Sequence, residues 1–261
     1  MKKICCLVLL LSVFAFGSCF AAENTEGGSA EAVAVKTAAH AEDRQAVSAT
    51  DTSVKTDVNK GEKKMVKHIA VFETTMGNFK IELLDDKTPI TVKNFIDLSK
   101  KGFYDGVIFH RVIKGFMIQS GDPKGNGTGG ESIWHGKNQK IDSGKGFKNE
   151  TSAYLYNLRG ALSMANAASD NTNGSQFFIN QNQTDSSSKL SESKYPAQII
   201  KAYKKGGNPS LDGDYTVFGQ VIDGMDIVDK IAESETDENN KPKNEIKIQK
   251  IEVIKDYNFK K

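Results

Sequence analysis

Apolar positions recur with two different periods along this chain from residue 69 onward. Ile69 and Val71, then Phe79, Ile81 and Leu83, alternate around Met76-Gly77-Asn78, which predicts a β-hairpin. Lys87-Thr88-Pro89 predicts a helix start, with Thr88 at the N-cap and Pro89 in the first helical position. Val92, Phe95, Ile96 and Ser99 then fall on one stripe, and Gly102 can end the helix. Strand-like runs follow at 107–113, 116–120, 158–165, 176–181 and 215–222. Met225, Val228, Ile231 and Ala232 return to helical spacing, and Ile246, Ile248, Ile251, Val253 and Ile254 predict a last strand with one break in its alternation. The count fits a mainly β fold: a closed antiparallel barrel with helices over its ends. Between Ile179 and Leu211 the rhythm lapses. Asp185-Ser186-Ser187-Ser188 is followed by a short helix from Pro196 to Lys205, apolar at Ile199, Ile200 and Tyr203 and stopped by Gly206-Gly207.

The first quarter of the chain has a different composition. In 1–22, Lys2 and Lys3 precede an apolar run, Ile4 to Phe16, with small residues after it, as in a secretory signal. The run is short for a membrane span. Gly17-Ser18-Cys19 resembles a bacterial lipobox, in which Cys19 would carry lipid, although Phe16 stands where an aliphatic residue is usual. Ordinary cleavage after Ala21 is the alternative, with Cys19 as a small residue in a discarded peptide. All three cysteines lie in this segment, so the rest of the chain has no disulfide, thiolate metal site or cysteine nucleophile. Residues 23–64 are rich in Ala, Thr, Ser, Glu, Lys and Val and nearly devoid of aromatics. They bury too little apolar surface to offset their ordering entropy, and read as a disordered tether; a weak helix is the alternative. The remaining 65–261 fits one domain. A net charge of +2 gives no case for nucleic-acid binding, and Lys100-Lys101 and Lys204-Lys205 read as solvated surface.

Candidate chemistry is concentrated in Val107 to Asp122. One fixed cation, one amide and several large apolar side chains share this short segment, a mix that suits gripping a peptide without a covalent bond. In an extended strand Arg111 and Ile113 share one face, while His110 and Val112 share the other. Lys114-Gly115 interrupts the alternation; beyond it Met117 and Gln119 share a face, with Phe116 beside them.

This segment resembles the signature of the cyclophilins, the cyclosporin-binding family of peptidyl-prolyl cis/trans isomerases. So do Leu162-Ser163-Met164-Ala165-Asn166-Ala167 with Asn171-Thr172-Asn173-Gly174-Ser175-Gln176-Phe177-Phe178-Ile179, and Leu211-Asp212-Gly213 with Val217-Phe218-Gly219, in family order. The resemblance runs from about Met65 to the C-terminus. It implies a closed eight-stranded antiparallel barrel capped by two α-helices, with a peptide groove on its outer wall, to which this chain adds the short helix of an insertion at about 181–209. It implies isomerisation of Xaa-Pro bonds without cofactor or metal. Arg111 would be catalytic, and Ile113, Phe116, Met117, Gln119, Asn166 and Phe178 would bind substrate. Gln176, Ala165 and Ala167 would line a neighbouring subsite, and Leu211 and Tyr215 would close the proline pocket. The partners implied are proline-containing unfolded or flexible polypeptides, and the domain is expected to act as a monomer.

Three departures stand out. Ser210 occupies the place where many eukaryotic members carry tryptophan, and Tyr215 that of a histidine; weak cyclosporin binding is expected. The third is the insertion, read either as shaping substrate choice or as tolerated surface. Gly125-Asn126-Gly127-Thr128-Gly129-Gly130 has dinucleotide-binding spacing but no βαβ context, so it reads as backbone geometry. His40, His68, His110 and His135 lack metal spacing. Alternation turns His110 away from Arg111, and a buried, hydrogen-bonded histidine is expected there. Ser120-Gly121-Asp122 has no nucleophile-elbow framing. Taken together, an exported isomerase that assists folding in a bacterial periplasm or cell envelope is expected. A non-catalytic binder of Xaa-Pro segments and a lipid-anchored adhesin are the competing readings; a pure binder would need the pocket but not the cation.

Overall fold

The computed structural model describes residues 67–167 and 171–255; the signal segment with Cys19 and the tether at 23–64 lie outside the described residues. The predicted hairpin is formed by β1 (His68–Thr74) and β2 (Gly77–Leu83). Thr74 ties its turn: the hydroxyl donates to the Gly77 carbonyl at 2.6 Å and accepts the Met76 N–H at 3.1 Å.

The first helix, α1 (Pro89–Lys100), buries Val92, Phe95, Ile96, Leu98 and Ser99. It stops at Gly102, whose φ of +67° suits glycine and whose N–H returns to the Ser99 carbonyl. Its N-terminus departs from expectation. The Thr88 hydroxyl does not cap the helix but donates back to the Leu84 carbonyl. The cap comes from Glu150, sixty residues further along, whose carboxylate accepts the N–H of Ile90 at 3.1 Å and both the N–H and the hydroxyl of Thr91 at 2.6 and 2.7 Å. A carboxylate also complements the positive end of the helix dipole. Glu150→Ala should therefore lower stability by about 1–2 kcal/mol, read as a lower urea midpoint at unchanged slope; an unchanged midpoint would contradict the cap.

The next strands are β3 (Arg111–Ile113), β4 (Met117–Ser120), β5 (Ala161–Met164) and β6 (Phe177–Asn180). Helix α2 (Ala197–Tyr203) lies within the insertion. Strand β7 (Val217–Asp223), helix α3 (Met225–Ala232) and strand β8 (Ile248–Lys255) complete the chain. All eight strands form one antiparallel sheet in the order β3-β4-β6-β5-β7-β2-β1-β8. The break in the last strand is a register shift, where Glu73 faces Lys250 but Thr74 faces Ile248. Inside the curl, the rings of Phe72 and Phe79 stack at 4.6 Å, and Phe95 of α1 packs within 6.0 Å of Phe72, Phe177 and Phe218. Val228, Ile231 and Ala232 of α3 join the same core.

The expected closed barrel is corrected to an open, curled sheet with β3 and β8 as edges. Residues 107–110 do not continue β3, which has only three residues, so in place of a ladder to β8 there is an isolated antiparallel bridge, Ile108 to Lys247. Irregular main chain spans the seam instead. Gly106 N–H reaches the Ile248 carbonyl at 2.7 Å, Phe109 N–H the Ile246 carbonyl at 2.9 Å, and Val112 N–H the Asn240 carbonyl at 2.8 Å.

The insertion is a closed excursion. Gly207 N–H donates to the Asn182 carbonyl at 3.0 Å, and the Asn182 side chain returns a bond to the Gly207 carbonyl at 2.8 Å. Inside it, α2 buries Tyr203 completely. Among the described residues no helix is long and apolar enough to cross a membrane.

Candidate active site

Strands β3, β4 and β6 carry the wall of a hollow of about 580 Å³. Antiparallel pairing sets Arg111 opposite Gln119, and Gln119 opposite Phe178. Successive strand residues point to opposite faces, so Phe177 enters the core, fully buried, while Phe178 turns outward into the hollow. Met117, Phe116, Leu211 and Tyr215 complete its apolar part, and the Phe178 and Tyr215 rings meet edge to face at 5.6 Å.

Polar groups form an ordered chain along the rim. Arg111 donates to the Gln119 side-chain carbonyl at 3.4 Å, and the Gln119 amide donates to Gln176 Oε1 at 3.0 Å. The Gln176 amide then donates to the carbonyls of Gly127 and Gly129 at 3.1 and 2.8 Å. Arg111 is exposed, and among the described residues no carboxylate lies within ion-pair distance of it. Its guanidinium is therefore oriented but not neutralised. The Phe116 carbonyl is held by three donors: the N–H groups of Gln181 and Asn182 at 2.9 and 3.2 Å, and the Asn208 amide at 2.9 Å. Main chain at one end of the insertion and the Asn208 side chain at the other thus fix the apolar wall.

Most residues anticipated for the site converge. Arg111, Phe116, Met117, Gln119, Ala165, Asn166, Phe178, Leu211 and Tyr215 line the main hollow. Ala167 and Gln176 line a second hollow that shares Gln119, Ala165 and Asn166 with the first. Ile113 lines neither: it ends β3 at the Lys114-Gly115 turn, where Gly115 has a φ of +75°.

His110 differs from expectation in two ways. It lines the hollow together with Arg111, because the strand begins at Arg111 and alternation does not extend back to residue 110. It is buried, but neither ring nitrogen has a hydrogen-bond partner among the described residues. Burial pushes its pKa down; Asp122 opposes this, while Arg111 and Lys241 reinforce it. For Asp122, burial acts to raise the pKa, but the N–H groups of Lys124, Asn126, Gly129 and Gly127 outweigh it and hold the carboxyl below its usual range. That anchored carboxylate shapes the glycine-rich loop, whose residues Gly125, Asn126 and Gly127 border the hollow.

Asp237, Asn239 and Lys241 also border the hollow and were not anticipated. The Asp237 carboxylate accepts the N–H groups of Asn239 and Lys241, both at 2.9 Å, and Asn240 has a φ of +62°. Asp-x-x-Asn-Lys-Pro is a turn signal, so the loop was visible in the sequence, but its approach to Arg111 across the seam was not.

Comparison with known proteins agrees with this geometry. The family model described as cyclophilin type peptidyl-prolyl cis-trans isomerase/CLD matches residues 69–253. A Staphylococcus saprophyticus protein, provisionally named a peptidyl-prolyl cis-trans isomerase, is 44% identical over 203 residues, covering 76% of this chain and 95% of its own. A Streptococcus pyogenes protein, provisionally named a bifunctional phosphatase/peptidyl-prolyl cis-trans isomerase, is 48% identical over 187 residues; the match covers 70% of this chain but only 38% of that protein. The crystal structure of a Cryptosporidium parvum cyclophilin type peptidyl-prolyl cis-trans isomerase aligns with a TM-score of 0.58 and 36% identity, covering 72% of this chain and 98% of that one. The same protein, crystallised in the presence of the dipeptide Ala-Pro, aligns with a TM-score of 0.56. The motifs, the open eight-stranded sheet and these matches lead to one conclusion: the chain belongs to the cyclophilin-type peptidyl-prolyl cis-trans isomerase family.

Proposed function

We propose that this protein is an exported peptidyl-prolyl cis/trans isomerase that assists the folding of proline-containing polypeptides, and that Arg111 is its catalytic residue. The observation that carries the reading is an oriented guanidinium, without an ion-pair partner among the described residues, beside a hollow walled by Phe116, Met117, Phe178 and Leu211. The Xaa-Pro bond turns slowly because amide resonance sets a barrier near ~20 kcal/mol. As the bond twists, the prolyl nitrogen becomes pyramidal and gains a lone pair. Arg111 donates to that lone pair, which the planar ground state does not offer, so the contact stabilises the transition state selectively. The apolar wall holds the proline ring. Gln119 and the Asn166 main chain hold the flanking carbonyl and amide, and Ala165, Ala167 and Gln176 accommodate the preceding residue. The test is the cis-to-trans rate of an Ala-Pro tetrapeptide with the purified chain, followed by NMR. Strong acceleration supports the reading; binding without acceleration overturns it in favour of a proline-segment binder.

The signal-like 1–22 supports export, and Cys19 supports a lipid anchor at the cell envelope, with 23–64 as the tether; the domain acts as a monomer. Palmitate labelling lost in Cys19→Ser would establish the anchor. Cyclosporin should bind weakly, because Ser210, exposed beside Leu211, supplies neither the large contact nor the N–H of an indole. A nanomolar dissociation constant in direct titration would refute this.

Activity should be nearly flat from about pH 6 to 8. A guanidinium needs no proton exchange in this range, and burial lowers the His110 pKa and so favours its neutral form. Stability should behave differently. The unfolded chain takes up a proton near pH 6.5 that folded His110 refuses, so this contribution is complete above about pH 6.5 and declines as the pH falls below it. Urea midpoints that stay constant down to pH 5 would contradict this assignment.

A further inference from the structure

We infer that a separate tyrosine-rimmed hollow, on the other side of the Leu211–Tyr215 segment, is an exosite for a second stretch of the same client polypeptide. This rests on the isomerase reading only for the identity of the client. The hollow, of about 280 Å³, is bounded by Thr151 to Ala153, Leu155 and Tyr156, with Tyr154 beside it in the chain but not lining it, by Lys194 and Tyr195 of the insertion, and by Asp212 and Gly213. Leu211 lines the catalytic hollow and its chain neighbour Asp212 lines this one, so the two hollows meet along the same segment. An extended chain advances about 3.3 Å per residue, so about four residues carry a client across that rim.

The chemistry of the rim selects its occupant. Tyr156 and Tyr195 lie with ring centroids 5.9 Å apart, and Tyr195 meets the buried Tyr203 edge to face at 6.1 Å. Their hydroxyls are bound internally: Tyr156 donates to the Ala153 carbonyl at 2.7 Å and Tyr195 to the Pro209 carbonyl at 3.3 Å. Tyr195 is buried and backs the hollow, so the partly exposed ring of Tyr156 is what remains to meet a ligand, a surface that suits prolyl and aliphatic side chains of an extended segment. In the same rim segment Tyr154 is 81% exposed, about twice the 39% of Ile90 and Ile222, the other exposed large apolar side chains among the described residues.

Charge adds direction. The Asp212 carboxylate is committed inward, accepting the Tyr203 hydroxyl at 2.6 Å and the Asn157 N–H at 2.7 Å. Lys194 lies 5.5 Å from the Tyr195 ring centroid, and among the described residues no carboxylate comes within ion-pair distance of it. The rim therefore presents a cation beside aromatic faces. It fits an apolar or prolyl residue next to an acidic one.

The test uses the full chain and its Tyr154→Ser/Lys194→Ser double variant. Neither residue lines the catalytic hollow, and both are exposed, so the variant should fold. Two fluorescent probes are titrated: an Ala-Pro tetrapeptide, and an unstructured peptide of about sixteen residues carrying the same Ala-Pro with Pro-Leu-Asp about four residues away on each side. The long peptide should bind the unaltered protein about tenfold more tightly than the tetrapeptide, and the variant should lose that advantage while binding the tetrapeptide equally well. Equal affinity of the two proteins for the long peptide, or a parallel loss with the tetrapeptide, overturns the exosite. Tetrapeptide isomerisation in the same samples judges the catalytic reading separately: no turnover with the long-peptide difference intact would remove the enzyme and leave the exosite.

Discussion

Replacing Arg111 by alanine is expected to lower kcat/KM for an Ala-Pro peptide by about 10²- to 10³-fold, the usual consequence of removing one aimed donor from a developing lone pair. The fold should be untouched. Arg111 is exposed, among the described residues its side chain hydrogen-bonds Gln119 at 3.4 Å, and it is not part of the hydrophobic core. The urea midpoint should therefore shift by no more than about 0.5 kcal/mol equivalent. Peptide affinity should fall much less than turnover, because the apolar wall and Gln119 remain in place. Arg111→Lys should recover little of the rate. An ammonium on a flexible stem lacks the planar fork that Gln119 orients, and reaches the nitrogen with less defined geometry. A variant that folds, binds peptide and turns over at the original rate would show that the twisted bond is stabilised by something other than this side chain.

Phe177 and Phe178 should answer alanine in opposite ways. Phe177 is fully buried, with its ring within 5.8 Å of Phe72, Phe95 and Tyr104, so Phe177→Ala opens a cavity where aromatic rings converge. The loss should be about 3–5 kcal/mol, a large part of the stability of an ordinary domain, with the remaining folded fraction still active. Phe178 packs on Tyr215 and faces the hollow, so Phe178→Ala should cost about 1–2 kcal/mol but lower kcat/KM by about tenfold or more through loss of the proline wall. Urea unfolding beside isomerisation rates separates the two. Equal stability losses, or an active Phe178→Ala, would mean that strand alternation does not divide core from groove at this point.

That division was legible in the sequence because period-two alternation is a local rule, and β6 obeys it. The hairpin around Gly77, the stripe of α1 and its stop at Gly102 were legible for the same reason. What escaped were contacts set by distant partners. Thr88 has the right type and place for an N-cap, yet Glu150 reaches the exposed N–H groups from sixty residues away, and no local pattern reports that. His110 was assigned by extending alternation one residue beyond the place where the ladder starts. The Asp237–Lys241 loop is an evident turn whose importance lies only in its position across the seam. The open seam escaped because a count of strand-like runs does not say whether the first and last of them pair.

The tie between Asn182 and Gly207 has a consequence for how such chains can diversify. The Asn182 main chain and the Asn208 side chain at these ends also steady the Phe116 carbonyl, while everything between them leaves and returns through one hydrogen-bonded neck. Residues 183–206 therefore form a cassette. Its outer part can be lengthened, shortened or exchanged while the neck and the buried Tyr203, which donates to Asp212, keep the groove wall in register, and the entropy penalty grows only slowly with length. Variation in the cassette would alter Lys194, Tyr195 and the ground around them without disturbing Arg111 or Phe178, so client preference and bond rotation can be inherited as separable traits.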